Sequence, residues 1–273
     1  MRQSGVVTDV RRLGPHDHVC CGFDDRTEFR TAALAFLDAG LGLGHRVWYV
    51  GESGDGVHDA LTGARPGAVQ LVSVATQYAA DATVAPNERV ETYATATRNA
   101  LAAGFTGLRV ATDVTAMVRT PARLDAFARY EHQADQLMAR SPFSAMCAYD
   151  RRVLGPDLLT QLATMHPLTT EAASFQLHAS GRLDCAAAIS GELDLASAEL
   201  LALALDRAEL RPTGGELVLD ATELTFIDRR SLAMLAEHAR ALGATLVLCT
   251  DQHVPHRLTQ VLAWDNVRID AAS

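Results

Sequence analysis

Between His18 and Tyr149 the chain alternates short runs that are apolar at nearly every position with longer segments of helical period. A strand that is apolar on both faces has to be covered on both faces, and the connection that brings the next strand back in parallel is usually a helix. The runs are His18 to Phe23, Val47 to Val50, Ala68 to Val74, Gly107 to Ala111 and Ala145 to Tyr149. Helical segments separate them, the first through Phe29, Ala33, Phe36 and Leu37, the others at about 57–62, 87–103 and 121–139. The pattern predicts an α/β fold whose N-terminal half is a doubly wound, mostly parallel sheet.

A short helix from Asp157 to Met165 ends at His166-Pro167, because proline disfavours helical geometry in the residue before it. Leu168 to Ser174 is small and polar with little to bury, so residues 169–174 are expected to link a domain of residues 1–168 to one of residues 175–273. Two domains suit a length of 273 residues. In the second, Phe175 to Leu177 and Ala186 to Ile189 read as antiparallel strands, and Asp194 opens a helix through Leu200 to Ala208. Strand Glu216 to Leu219, a helix from Arg229 to Leu242, strand Thr245 to Leu248, helix 256–263 and strand Val267 to Ile269 complete an order ββαβαβαβ, a mixed sheet.

Composition removes several functions. No run approaches the roughly 18 apolar residues of a membrane span, and no signal-peptide core follows Met1 to Gly5, so the expectation is a cytoplasmic protein without a membrane partner. A net charge of −9 argues against nucleic acid as a partner, since phosphates demand a positive surface. All 24 basic residues are arginine, which excludes any chemistry that needs a lysine amine. The five cysteines are odd in number and Cys20 adjoins Cys21, a poor basis for a disulfide framework. Reduced thiols are expected.

Two C-terminal segments, Ile189-Ser190-Gly191-Glu192-Leu193-Asp194 and Leu217-Val218-Leu219-Asp220 through Phe226-Ile227-Asp228, resemble the STAS domain of anti-sigma factor antagonists. The resemblance implies an anti-sigma factor or kinase-like protein as partner, docking at Asp194 and at the helix that starts after Asp228. It also implies a serine there that accepts phosphate, whose charge of about −2 disrupts the docked interface. This chain departs from that pattern. The Asp-Ser-Ser-Gly stretch reads Asp228-Arg229-Arg230-Ser231, so Arg230 cannot take the phosphate and Ser231 is the remaining hydroxyl, one residue further into the helix. Asp228 suits an N-cap, and two arginines beside a helix N-terminus sit against its partial positive charge, which suggests a partner that supplies carboxylates.

In the N-terminal half, His18-Val19-Cys20, Gly44 to Val50, Gly107 to Asp113, Tyr130-Glu131, Cys147-Ala148-Tyr149-Asp150-Arg151 and His166-Pro167 occur in an order that resembles the MEDS sensory domain, a degenerate relative of RecA-like P-loop folds. Gly51-Glu52-Ser53-Gly54-Asp55-Gly56-Val57-His58 keeps the glycine spacing of a phosphate loop but has Val57 and His58 where lysine and a hydroxyl are needed. Nucleotide hydrolysis is therefore not expected, and the chain reads as a non-enzyme. Asp113 ends an apolar strand at the crevice where open α/β sheets bind ligands. His18, Cys20, Asp113 and Cys147 are the candidate ligand-sensing residues. His16, His18 and Cys20, spaced two apart, would share one face of a strand and could hold a metal, with Cys147 joining from another strand, although buried cysteines more often pack as small hydrophobes. No cofactor is required by this reading.

The sequence thus points to a cytoplasmic signalling regulator that couples a small-molecule or redox sensor to partner switching. The competing readings are a nucleotide-binding or hydrolytic enzyme of P-loop ancestry, and a structural module that forms a homodimer.

Overall fold

The computed structural model describes residues 2–52, 56–61, 65–74, 86–262 and 264–272. Among these, β1 (Gly5–Val6), β2 (His18–Phe23), β3 (Arg46–Gly51), β4 (Val69–Ser73), β5 (Leu108–Asp113), β6 (Phe143–Asp150) and β7 (Leu168–Thr169) form one sheet in the order β1, β7, β2, β6, β5, β3, β4. Every pairing in it is parallel. Helices α1 (Arg26–Gly42), α2 (Val57–Ala60), α3 (Pro86–Ala102), α4 (Pro121–Arg140) and α5 (Arg151–Thr164) cover it. This is the doubly wound, RecA-like sheet that the both-face apolar strands predict.

Strand alternation divides the side chains between two cores. On β6, Phe143, Ala145, Cys147 and Tyr149 pack with Tyr93 of α3, Phe127 and Tyr130 of α4 and Leu159 of α5. Met146 and Ala148 point the other way, into a core with Phe29, Phe36 and Leu37 of α1. Helix α4 starts cleanly because the Thr120 hydroxyl accepts from Arg123 N and Pro121 occupies the first helical position. Its buried residues include Leu124, Phe127, Ala128, Tyr130, Glu131, Asp135 and Met138, more than one helical stripe can hold. The reason is a second neighbour, the C-terminal domain.

That domain is a mixed sheet of β8 (Phe175–His178), β9 (Ala187–Leu193), β10 (Glu216–Asp220), β11 (Leu224–Ile227), β12 (Thr245–Cys249) and β13 (Val267–Asp270). Its order is β11, β9, β10, β12, β13, with β8 antiparallel on β9. Its helices are α6 (Ala198–Ala208), α7 (Arg229–Ala241) and α8 (His253–Leu262). Gly191 is required where β9 passes from β8 to β11: its φ is +84°, and a Cβ there would lie 2.4 Å from the Ser174 carbonyl oxygen.

Several elements differ from expectation. Leu224 to Ile227 is a strand, so the order is ββαββαβαβ; four residues with only Leu224 and Ile227 buried are too short to show a strand period. Leu168 and Thr169, expected to border a polar linker with little to bury, are fully buried in β7 between β1 and β2. Helix α5 begins at Arg151, capped by Asp150, and Gly155 at φ 74° breaks its path before Pro156, which hid the first turn. Helix α6 starts at Ala198, because Asp194 and Ser197 first bond reciprocally in a turn, Ser197 N to Asp194 Oδ1 at 3.0 Å and Asp194 N to Ser197 Oγ at 2.9 Å.

Arg109 lies on β5 with 0% exposure. Its guanidinium donates to Ser144 Oγ at 3.1 Å and to the carbonyls of Phe36 at 3.1 Å, Gly14 at 3.0 Å and Leu13, tying α1 and the segment before β2 to the sheet. Gly40 of α1 leaves room for it, since a Cβ there would stand 2.6 Å from Arg109 Cδ. Burial pushes the guanidinium pKa down to about 10. Arg109→Leu takes this donor from the carbonyls of Leu13, Gly14 and Phe36 and from Ser144, a buried acceptor left unpaired costing about 1–3 kcal/mol. Urea denaturation should show a loss of roughly 3–5 kcal/mol; a loss below about 1 kcal/mol would mean that these carbonyls find other donors.

Candidate functional site

β2 and β6 run side by side with His18 opposite Ala145 and Cys20 opposite Cys147. Alternation places His18, Cys20 and Cys147 on the face covered by α4, whereas Cys21 packs in the opposite core. Helix α4 brings Glu131 and Asp135, one turn apart, down onto this face. His166, in the turn between α5 and β7, completes the group, its Nδ1 2.8 Å from the Leu162 carbonyl oxygen.

The result is a polar cluster inside the protein. His18 Nε2 lies 2.9 Å from Glu131 Oε2, and Cys147 Sγ lies 3.5 Å from that oxygen and 3.6 Å from His18 Nε2. His166 Nε2 is 3.6 Å from Glu131 Oε2, and the two imidazole centroids are 4.1 Å apart. One potential ligand atom from each of His18, Glu131, Cys147 and His166 lies within 4.8 Å of all the others, and all four residues are buried.

Asp135 supports the cluster from behind. Its Oδ1 meets His18 Nδ1 at 3.2 Å, both oxygens accept from Arg2, and Oδ2 accepts the backbone N–H of Ala179 at 2.7 Å. Arg2 also donates to the His16 carbonyl at 3.0 Å and the Ala179 carbonyl at 3.2 Å. Because Ala179 follows β8, one carboxylate joins the cluster beneath the N-terminal sheet to the C-terminal domain.

Electrostatics follow from this packing. Burial works against the His18 imidazolium, but hydrogen bonds and charge from Asp135 and Glu131 outweigh it and raise the pKa to about 9. Burial likewise disfavours the Asp135 carboxylate, yet the charges of Arg2 and His18 hold its pKa well below the usual carboxylate range. Glu131 is lowered against its own burial, mainly by His18. Burial and the neighbouring Glu131 keep Cys147 a thiol, and burial with His18 nearby lowers His166 to about 4. The same four residues offer donors that can hold a metal ion, and a divalent cation there would change this distribution outright.

Of the residues singled out in the sequence, His18 and Cys147 meet here. Cys20 neighbours them as a buried thiol whose pKa burial raises, but it supplies no atom to the group. The grouping of His16, His18 and Cys20 is corrected: β2 begins at His18, and His16 Nδ1 instead lies 2.8 Å from the Met138 carbonyl oxygen. Asp113 caps the turn after β5 through Thr115 N at 3.0 Å and pairs with Arg26 at 2.7 Å. In the glycine-spaced loop, residues 53–55 lie outside the described residues.

Asp228 caps α7 by accepting from Ser231 N at 2.7 Å, and Arg229 and Arg230 are exposed beside it. Ser231, the one hydroxyl left as a possible phosphate acceptor, has 0% exposure, so a phosphate on it would have to enter the core. Glu131 and His166 lie outside the candidate residues drawn from the sequence, although both stand in the motifs Tyr130-Glu131 and His166-Pro167. An acid on an otherwise apolar helix stripe, repeated four residues later as Asp135, was the available signal.

A family model described as MEDS, the MEthanogen/methylotroph, DcmR Sensory domain, matches residues 17–167, a span that contains all four cluster residues. No curated protein matches the chain.

Asp135→Asn keeps the shape and still accepts from Ala179 N, but removes the charge that balances Arg2 and His18. Breaking a buried charge network in this way costs about 3–5 kcal/mol. Chemical denaturation should register that loss; a change under about 1 kcal/mol would mean the carboxylate does not carry this balance.

Proposed function

The chain belongs to the MEDS sensory-domain family through residues 17–167, and we propose that it is a signalling regulator whose sensor passes a small-molecule or redox signal to a STAS-type output domain of residues 175–273. In this reading residues 1–168 receive the signal, and the output domain presents Asp194 and the first turn after Asp228 to an anti-sigma factor or kinase-like protein. As a member of a sensory family, the N-terminal half is a receptor and not a catalyst.

The observation that carries the coupling is the position of α4. One side of it holds Glu131 and Asp135 in the buried cluster. Elsewhere along the same helix, Asp125 accepts from Arg207 of α6 at 2.7 Å, and Arg129 pairs with Asp206 at 3.1 Å and with Glu209. Arg207 is itself 4% exposed, so its pair with Asp125 is tied into the packing between the domains. A change at the cluster that shifts α4 therefore acts directly on the output domain.

The output face has the make-up of a docking surface. Asp228 N donates to the Leu193 carbonyl at 2.9 Å, which joins the ends of β9 and β11. Leu195 and Phe226 are exposed near this end, together with Arg229 and Arg230. Aromatic, aliphatic and arginine side chains in one patch are typical of interface anchors. With arginine where the STAS pattern has its phosphorylated serine, control would come from the sensor and not from phosphate at Arg230.

Titration of the full chain with purified anti-sigma and kinase-like proteins tests the reading. A complex is expected whose affinity falls at least about tenfold in Arg229→Glu with Arg230→Glu, while the melting temperature does not fall, since acids suit a helix N-terminus. Absence of binding across those candidates, or binding indifferent to both charge reversals, would overturn it.

A further inference from the structure

We propose that His18, Glu131, Cys147 and His166 form a four-coordinate site for one divalent transition-metal ion, zinc being the best-matched. The proposal stands independently of the partner-switching reading.

The first argument is the direction of lone pairs. A carbonyl oxygen only accepts, so His166 Nδ1, 2.8 Å from Leu162 O, carries the ring proton. Nε2 of the neutral ring is then a bare lone pair. It is buried without a hydrogen-bond partner, and Glu131 Oε2 faces it at 3.6 Å, too far for a hydrogen bond. Glu131 Oε1 is also buried and unpartnered. Two electron-rich groups directed at one another inside a core are unfavourable unless a cation accepts from both.

The second argument is dimension. Zinc binds nitrogen and oxygen at about 2.0–2.2 Å and sulfur at about 2.3 Å, so the edges of its coordination tetrahedron are roughly 3.3–3.7 Å. Cys147 Sγ to Glu131 Oε2 is 3.5 Å, Cys147 Sγ to His18 Nε2 is 3.6 Å, and His166 Nε2 to Glu131 Oε2 is 3.6 Å. The fourth measured edge, His18 Nε2 to Glu131 Oε2 at 2.9 Å, is short because it is itself a hydrogen bond, and it needs to open by only about half an ångström.

The third argument is the outer shell. Ligating histidines generally donate their second nitrogen to a carboxylate or a backbone carbonyl, which fixes tautomer and ring orientation. Here His18 Nδ1 faces Asp135 Oδ1 at 3.2 Å and His166 Nδ1 faces the Leu162 carbonyl, so both rings present Nε2 to the same point. Charge agrees as well: a divalent ion is neutralised by the Cys147 thiolate and the Glu131 carboxylate. Two imidazoles, a thiolate and one carboxylate suit zinc, whereas magnesium and calcium require oxygen-rich shells.

The test begins with full-length protein stripped with a chelator under reducing conditions and titrated with Co²⁺, then Zn²⁺. One equivalent of Co²⁺ should bind, with intense visible bands of a four-coordinate ion and a near-ultraviolet thiolate band, and Zn²⁺ should displace it. Cys147→Ser should abolish the near-ultraviolet band and weaken zinc binding by more than about 100-fold, the upper range for loss of a mere supporting residue. Cys249→Ser, in the C-terminal sheet, should change neither. Should Cys147→Ser fail to fold, X-ray absorption of the zinc-loaded wild type decides: one sulfur near 2.3 Å with nitrogen or oxygen near 2.0 Å is expected. Binding of less than about a tenth of an equivalent, a thiolate band that survives Cys147→Ser, or a shell without sulfur would overturn the proposal.

Discussion

Much of this structure depends on the Asp135 carboxylate, which accepts from a side chain on the sensor sheet, from the arginine near the N-terminus and from the backbone of the C-terminal domain at once. A carboxylate with no exposure survives in a core only when donors and opposite charge surround it. The three donors come from segments far apart in sequence, so satisfying one buried group fixes the mutual position of three parts of the chain. The cluster beyond it inherits that order. His18 takes its ring orientation from Asp135 and presents its other nitrogen to Glu131.

Helix α4 converts this constraint into a connection between domains. A helix that packs on one side only needs a single apolar stripe, but α4 buries residues towards both the sensor sheet and α6. Its two inward acids meet the cluster, and its ion pairs with Arg207, Asp206 and Glu209 meet the C-terminal domain. A signal can shift an equilibrium only by its differential affinity for two states. Any ligand or ion that draws Glu131 towards a new partner acts on a group rigidly attached to those pairs.

The fold was legible in the sequence wherever an element was long enough to show its period. β2 is legible as His18 to Phe23, its observed extent, and α4 to within a residue, because both are long enough for apolar spacing to show. β1 and β7, two residues each, and β11, four residues, carry no period, and their existence is decided by partners distant in sequence. The site was half legible for the same reason. His18 and Cys147 sit in recognisable strands, and their shared face follows from alternation. Glu131 and His166 join them only because the topology places β2 beside β6 beneath α4 and returns the chain to β7 next to β2. His16 failed as a member because a spacing rule for strands holds only inside a strand, and β2 begins two residues later.

The absence of lysine acquires a physical sense against these contacts. Arg109 satisfies three carbonyls and a hydroxyl, and Arg2 spans a carboxylate and two carbonyls. A planar fork of five donors can meet so many acceptors at fixed angles, whereas a compact ammonium with three donors cannot, and it sheds its proton more readily when buried. Inside the protein, then, the guanidinium groups of Arg109 and Arg2 are matched by acceptors that the fold supplies. Arg229 and Arg230 are instead exposed at the start of α7, where the helix dipole disfavours positive charge. Burial explains the first set. The second set is hydrated instead, and its cost is that of positive charge beside the helix dipole.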